Sequence, residues 1–180
     1  MVRIFGTRTV EPERGGWLRL RTGTPTHAIA ARPTLAGSYV VTAVVDAGSL
    51  TAGARAGVAA FGNRDNLLAI TVERPTAAGV PQPADVLRVA VWRSQKGKET
   101  TLASDTSDHR GTVHLQLKAT DRTTFQFAVS ADGRNWKTLA SGTEGSYLPP
   151  WDLAVRAALL VAGRDASATF GAYKLESVAR

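Results

Sequence analysis

The chain has 180 residues, no cysteine and a formal net charge of +7. This length is within the range of one domain, so residues 1–180 are predicted to form a single domain. The absence of cysteine excludes disulfides, thiolate metal sites and a cysteine nucleophile, and no apolar run approaches the roughly 18 residues of a membrane helix, which predicts a soluble protein without a membrane partner.

The basic residues are spread singly along the chain from Arg3 to Arg180, with no run of three. A surface that follows a phosphate backbone usually carries local clusters of lysine and arginine. The spacing therefore predicts a solvated basic surface and no nucleic-acid partner.

The N-terminal segment, MVRIFGTRTVEPERGGW, lacks the apolar region of a secretory signal and the Ser-rich, acid-poor character of a transit peptide. The sequence alone leaves the localisation open. The protein is either cytoplasmic, or it is extracellular as a module cut from a longer secreted precursor.

Short strands follow one another in the first half of the chain. They are predicted by β-branched composition and alternation at Trp17 to Arg21, Ser38 to Asp46, Val58 to Phe61 and Leu67 to Glu73. Thr22 to Thr34 carries two prolines and is predicted to be a loop, as is the proline-rich segment Arg74 to Pro83.

Two hairpins are predicted in the second half. The first joins Val86 to Ser94 and Glu99 to Ala103 through a turn with a glycine in the left-handed region. The second spans Phe125 to Leu139. Its Asp132-Gly133 pair predicts a type I′ turn that Asp132 caps, and Val113 to Ala119 is expected to pair with this hairpin.

The last part of the chain contains one ambiguous segment. Gly142 to Asp152 is predicted to be a loop and Ser167 to Leu175 the closing strand. Leu153 to Ala162 is apolar enough for a helix or a doubly buried strand, and the surrounding strands favour a strand. Ten to twelve short strands separated by Gly and Pro predict an all-β fold, an antiparallel two-sheet sandwich or jelly roll.

The order of these elements resembles the concanavalin A-like sandwich domain attached C-terminally to glycoside hydrolase family 43 enzymes of the β-xylosidase type. The resemblance covers nearly the whole chain and is carried by the segments GWLRLRT, SYVVTAVVD, AGVAAFGNRDN, SADGRNW and YLPPWDLAVRAALLVAG. The strand-turn and hairpin segments also fit laminin G-like and glucanase-like sandwiches. The resemblance implies a jelly-roll fold, a carbohydrate ligand and a glycoside hydrolase catalytic domain as partner. It does not imply hydrolysis, because the catalytic five-bladed propeller of that family is missing.

Paired catalytic carboxylates are not found in the predicted strands. Glycoside hydrolysis needs two carboxylates about 5 Å apart for retention or about 6.5 to 9.5 Å apart for inversion. Glucanase-like sandwiches place them at alternating positions of one strand, and no predicted strand contains Glu-x-Asp or Glu-x-Glu. We therefore assign no catalytic residue.

A metal site is not predicted either. His109 and His114 have no third ligand at a zinc-site spacing. Oxygen ligands near Asp46, Asp65 and Asp165 leave a structural calcium ion open, although no calcium-loop spacing is present.

Sugar binding needs aromatic rings for the apolar faces of the sugar and planar polar groups for its hydroxyls. If Val89 and Val91 point inward, alternation makes Arg88 and Trp92 point outward. By the same argument the neighbouring strands present polar side chains, and a proline-rich loop with two aromatic residues is expected to rim the same face. The candidate ligand-binding residues are Trp92, Arg88, His114, Gln116, Gln126, Tyr147 and Trp151. The alternative is a solvated face with Trp92 covered by a loop.

Three functions remain open. The first is a non-catalytic, carbohydrate-associated sandwich that binds a polysaccharide or supports a glycoside hydrolase. The second is a structural or assembly module that packs on a partner chain. The third is a sugar-acting enzyme with an arrangement not recognised from sequence.

Overall fold

The structure is a computed structural model that describes residues 3–5, 9–12, 14–23, 27–34, 36–75, 86–107, 111–148 and 155–178. These residues form fourteen strands and two short 3-10 helices, Arg14–Gly16 and Ala47–Ser49. The strands are β1 (Arg3–Phe5), β2 (Thr9–Pro12), β3 (Leu18–Arg21), β4 (His27–Pro33), β5 (Tyr39–Asp46), β6 (Arg55–Asn63), β7 (Asn66–Glu73), β8 (Leu87–Gln95), β9 (Lys98–Ser107), β10 (Thr112–Thr120), β11 (Thr124–Ser130), β12 (Lys137–Glu144), β13 (Arg156–Ala162) and β14 (Ser167–Ser177).

The described strands assemble into two seven-stranded antiparallel sheets. Sheet A has the order β1-β4-β13-β6-β7-β8-β9, and sheet B has the order β12-β11-β10-β5-β14-β3-β2. The predicted antiparallel two-sheet sandwich is therefore confirmed. The described residues include no helix with the length and apolar character that crossing a bilayer requires.

The main core lies between the two sheets. Along β5 the burial alternates strictly, with Tyr39, Val41, Ala43 and Val45 buried. Apolar side chains of sheet A, such as Val58 in β6, join the same cluster. Alternation along each strand thus directs one apolar face of each sheet into the space between them, where removal from water stabilises the sandwich.

The ambiguous apolar segment near the C-terminus is a strand. It forms β13 in the interior of sheet A, paired with β4 on one side and β6 on the other. All seven of its residues are buried, which explains why its sequence is continuously apolar and does not alternate.

The predicted loop from Thr22 to Thr34 is wrong, because it contains β4. Residues Ala28 to Ala31 are buried from both faces of sheet A. Their small and β-branched side chains fit a doubly covered strand. Pro33 is only the last residue of β4, a position where the missing N–H is tolerated.

The type I′ turn lies in the first hairpin and not in the second. Lys96 (φ 53°) and Gly97 (φ 77°) are the two central residues of the turn between β8 and β9, and both have positive φ. Between β11 and β12 the chain makes a longer loop, in which only Gly133 has positive φ. The type I′ prediction for that loop is therefore wrong, but the capping role of Asp132 is confirmed.

Asp132 organises this loop through its carboxylate. Its Oδ1 accepts hydrogen bonds from the backbone N–H groups of Arg134 and Asn135, both at 2.8 Å. Asn135 Nδ2 donates to Oδ2 at 2.7 Å, and Ser130 Oγ donates to Oδ1 at 2.9 Å. The bonds from Asn135 and Arg134, followed by that from Ser130, hold the pKa of Asp132 well below its ordinary value of 3.8.

Substituting Asp132→Ala should lower the melting temperature by a few degrees at neutral pH, because the loop loses its acceptor. A carboxyl whose pKa is depressed by folding stabilises the native state above its ordinary pKa, and that contribution is lost as the pH falls through the depressed value. The difference in melting temperature between wild type and variant, measured by thermal melts, should therefore become smaller below about pH 4.

The matched control is Arg134→Ala, which keeps the backbone N–H that Asp132 accepts. Its melting temperature should follow that of the wild type at every pH. A difference for Asp132→Ala that stays constant down to acid pH would contradict the capping role of the carboxylate.

Candidate functional site

The candidate ligand-binding residues do not share one face. Trp92 and Arg88 lie in β8 of sheet A, whereas β10 and β11, which carry His114, Gln116 and Gln126, lie in sheet B. Side chains that point away from the common core on different sheets lie on opposite sides of the sandwich. The predicted single platform is therefore wrong, although each strand alternates as expected.

The sheet B residues take part in local contacts. His114 packs against the loop after β11, because a Cβ added at Gly133 would lie 2.9 Å from His114 Nδ1. Gln126 Nε2 donates to Thr138 Oγ1 at 3.2 Å. Gln116 is half-buried in β10. These contacts link neighbouring strands of sheet B.

Of the two aromatic residues predicted to rim the binding face, Tyr147 lies within the described part of the chain. Tyr147 is half-buried, and its hydroxyl donates to the carbonyl oxygen of Leu67 at 2.9 Å. It thus ties the segment after β12 to sheet A. Trp151 lies outside the described residues.

Sheet A is strongly curved, and its outer face is concave. His27 in β4 and Glu99 in β9 are separated by four intervening strands, which in a flat sheet corresponds to about 24 Å. Nevertheless His27 Nε2 lies 3.9 Å from Glu99 Oε1. The outer side of sheet A is called the concave face below.

The floor of the concave face carries a second apolar cluster. Its members, all buried, are Ile29, Ala31, Ala59, Phe61, Leu67, Ala69, Trp92, Ala158 and Leu160. Four alanines of this cluster stand in register across β4, β13, β6 and β7, and Trp92 in β8 continues that row. The small side chains of the alanines leave room for the indole of Trp92, and Trp92 is only 2% exposed.

Arg55 covers Trp92. The guanidinium carbon of Arg55 lies 4.4 Å from the centroid of the indole ring, within the range of a cation–π contact. Its Nη1 and Nη2 donate to the two carboxylate oxygens of Glu99 at 3.0 and 3.1 Å. This two-pronged ion pair spans the concave face above the indole.

His27 lies next to this ion pair but does not add a positive charge to it. Burial lowers the pKa of His27 below 6.5, and the charges of Arg55 and Arg64 lower it further, whereas Glu99 raises it. His27 is therefore neutral at pH 7. The positive charge that pairs with Glu99 above Trp92 is that of Arg55.

A hydrogen-bonded chain fixes the edge of the indole. Trp92 Nε1 donates to Thr71 Oγ1 at 3.0 Å, and the Thr71 hydroxyl donates to Glu73 Oε1 at 3.2 Å. The other carboxylate oxygen of Glu73 accepts from Arg88 Nε at 2.9 Å and Nη2 at 2.6 Å. Since Glu73 is buried, these partners offset the cost of removing its charge from water.

A cleft of about 380 Å³ opens at the edge of the concave face. Its described polar side chains are those of Arg55, Glu73, Arg74, Arg88 and Thr106. The volume lies in the range of small-molecule sites. Arg55 and Glu73 therefore belong both to this cleft and to the network around Trp92.

Sequence reasoning assigned Arg88 and Trp92 but missed Arg55, Thr71 and Glu73. The alternation of β7 contained the signal for the last two, because Leu68, Ile70 and Val72 face the main core and leave Thr71 and Glu73 on the other face. Arg55 gave no such signal, since the predicted strand began at Val58 whereas β6 begins at Arg55.

The candidate calcium ligands Asp46, Asp65 and Asp165 all lie in the described parts of the chain. No group of three His, Asp or Glu side chains in these parts of the chain could hold a metal ion. Asp46, one of the candidate calcium ligands, uses Oδ1 to accept the N–H of Gly48 at 2.9 Å and so caps the 3-10 helix Ala47–Ser49.

The sequence from residue 7 to 151 matches the family model described as the β-xylosidase C-terminal concanavalin A-like domain. A search of curated protein sequences found no significant match.

Solved structures with the same fold include two enzymes and one binding module. The GH43 BlXynB protein from Bacillus licheniformis is 18% identical, with a TM-score of 0.68, and the similarity covers 92% of this chain and 34% of that one. The xylan β-1,4-xylosidase from Bacillus halodurans is 13% identical, with a TM-score of 0.71 and coverage of 91% and 33%. The carbohydrate-binding module CBM66 from Bacillus subtilis is 14% identical, with a TM-score of 0.62 and coverage of 98% and 95%. The chain thus spans about a third of the length of the enzymes and nearly all of the binding module.

The environment of Trp92 predicts a large loss of stability on its truncation. Trp92→Ala should cost about 3 kcal/mol or more in the free energy of unfolding, because a buried aromatic side chain is removed above a floor of alanines that cannot fill the space. Urea unfolding monitored by circular dichroism measures the loss.

Trp92→Phe is the matched variant. It keeps most of the packing but removes the donor to Thr71, and should cost about 1 kcal/mol. If Trp92→Ala unfolded at the same urea concentration as the wild type, the indole would not be a packed element of the concave face.

Proposed function

The chain belongs to the family of β-xylosidase C-terminal concanavalin A-like domains, and we propose that it is a non-catalytic accessory module of a glycoside hydrolase that binds a carbohydrate. The binding site in this proposal is the cleft at the edge of the concave face. The observation that carries it is the convergence of three arginines, one carboxylate and one hydroxyl on a cleft of about 380 Å³.

Arg88 is the central ligand-binding residue in this proposal. Two of its nitrogens, Nε and Nη2, are bonded to Glu73, which fixes the plane of the guanidinium. About half of its side chain, 47%, is exposed. An oriented and accessible guanidinium is suited to donate hydrogen bonds to adjacent sugar hydroxyls.

The carboxylates on the concave face favour binding over catalysis. Of the described residues that line the cleft, Glu73 is the one carboxylate, and it is bonded to Thr71 and Arg88. Glu99, a second carboxylate on this face among the described residues, is held by Arg55. Neither carboxylate is free to act as an acid or nucleophile. Glycoside hydrolysis requires a pair of carboxyl groups that can do so.

The similarity to CBM66 supports the binding role, since that module is described as carbohydrate-binding and extends over almost the same length. The similarity to the GH43 enzymes supports the accessory role, since the chain corresponds to about a third of each. At these identities both comparisons show a common fold, and the assignment of the site rests on the cleft.

Isothermal titration with oligosaccharides of xylan, arabinan, fructan and β-glucan tests the proposal. At least one should bind with a dissociation constant below the millimolar range. Arg88→Gln should weaken that binding about tenfold or more, because a charged donor to the ligand is lost while an amide still faces Glu73.

The matched control is Arg134→Gln, because Arg134 is an exposed arginine in the loop after β11 of sheet B. This variant should bind the oligosaccharide with the affinity of the wild type. Thermal melts of both variants verify folding. Absence of binding to all four oligosaccharides, or equal affinity of Arg88→Gln and wild type, would refute carbohydrate binding in this cleft. In that case support of a catalytic domain would be the remaining accessory role.

A further inference from the structure

Arg55 separates the cleft from the indole of Trp92. It lines the cleft together with Glu73 and Arg88, and its guanidinium lies over the face of the indole at 4.4 Å. The indole edge is joined to the same cleft through Thr71 and Glu73. Displacement of the Arg55 side chain would therefore add the face of Trp92 to the wall of the cleft.

The position of the guanidinium is one that a sugar ring can take. The negative potential of the indole face attracts the guanidinium cation that lies over it. The polarised C–H groups on the apolar face of a sugar use the same surface. Arg55 thus occupies the aromatic surface that the cleft otherwise lacks among its described lining residues.

The ion pair that holds Arg55 is accessible to water. The side chains of Arg55 and Glu99 are 27% and 42% exposed, so water can solvate both charged groups when the two-pronged pair opens. Glu99 is the second residue of β9, after the two-residue turn at Lys96-Gly97, and β9 lies at the edge of the described sheet. The contact can therefore open without disturbing the main core.

The indole itself would remain in place when Arg55 moves. Its Nε1–H bond to Thr71 and its packing in the alanine row of the concave face do not involve Arg55. The aromatic surface is thus preorganised, and only its cover has to move.

We propose that Trp92 is an aromatic subsite of the cleft, that Arg55 closes it in the free protein, and that a neutral sugar ring displaces the Arg55 guanidinium to stack on the indole. This inference rests on the proposed function, because it concerns the same cleft. The ligand group at the face of Trp92 is the apolar face of a sugar ring, and the protein's own Arg55 covers this face until the ligand binds.

Arg55→Ala tests the inference directly. Removal of the cover should tighten oligosaccharide binding about tenfold relative to the wild type, because the ligand no longer has to break a cation–π contact and an exposed ion pair. Glu99→Gln, which keeps Arg55 but removes its carboxylate anchor, should tighten binding in the same direction by a smaller factor. Arg134→Ala, on sheet B, should leave the affinity unchanged.

The indole N–H resonance of Trp92 in a two-dimensional NMR spectrum supplies a readout that does not depend on affinity. It is assigned by its disappearance in Trp92→Phe. It should shift when Arg55 is replaced by Ala, and it should shift again when the oligosaccharide is added to wild type or variant.

The outcomes separate this inference from the proposed function. Tighter binding by Arg55→Ala together with a ligand-induced shift of the Trp92 resonance supports the inference. If wild type binds in an Arg88-dependent manner but Arg55→Ala binds more weakly and the Trp92 resonance does not move, Arg55 is a direct ligand and the inference is overturned while the proposed function stands. If neither wild type nor Arg55→Ala nor Glu99→Gln binds any oligosaccharide, both are refuted.

Discussion

The curvature of sheet A is the constraint on which the rest of the structure depends. A sheet covered on one side by a partner sheet normally exposes its other side, but the concave face of sheet A is buried as well. The row Ala31, Ala158, Ala59 and Ala69 makes this closure possible, because small side chains on the inside of a curve leave space for one large group. Trp92 is that group, and its position at the end of the alanine row matches the space the curvature leaves.

Burial on both faces determines where polar chemistry can be placed. Charged groups in the middle of the concave face would lose hydration, so they occur where partners are within reach. Glu73 satisfies this condition through Thr71 and Arg88, and Arg55 satisfies it through Glu99 and the face of Trp92. The cleft lies where these two groups of partners meet, at the margin of the buried cluster.

Much of the fold could be predicted from sequence because alternation and composition are local properties. The alternation of β5 was sufficient to identify it as a strand, whereas the continuous apolar character of β13 favoured a strand over a helix only in the context of the surrounding strands. The site could not be predicted in the same way, because alternation shows on which side of its own strand a residue lies but not to which sheet the strand belongs. β8 and β10 are close in sequence yet belong to opposite sheets, and the contact of His27 with Glu99 depends on curvature that no local pattern encodes.

The fold alone does not decide whether such a module binds a sugar. The same sandwich occurs here, in regions of GH43 enzymes and in a carbohydrate-binding module, with identities of 13 to 18%, so any difference in ligand arises from the side chains and not from the fold. In this chain an aromatic ring, its arginine cover and an oriented second arginine occur within one network. A substitution at Arg55 or Glu99 would change the accessible surface of that network without altering a residue of the main core. In the proposed binding mode, sequence changes at these two partly exposed positions would therefore open or close the aromatic surface of this chain.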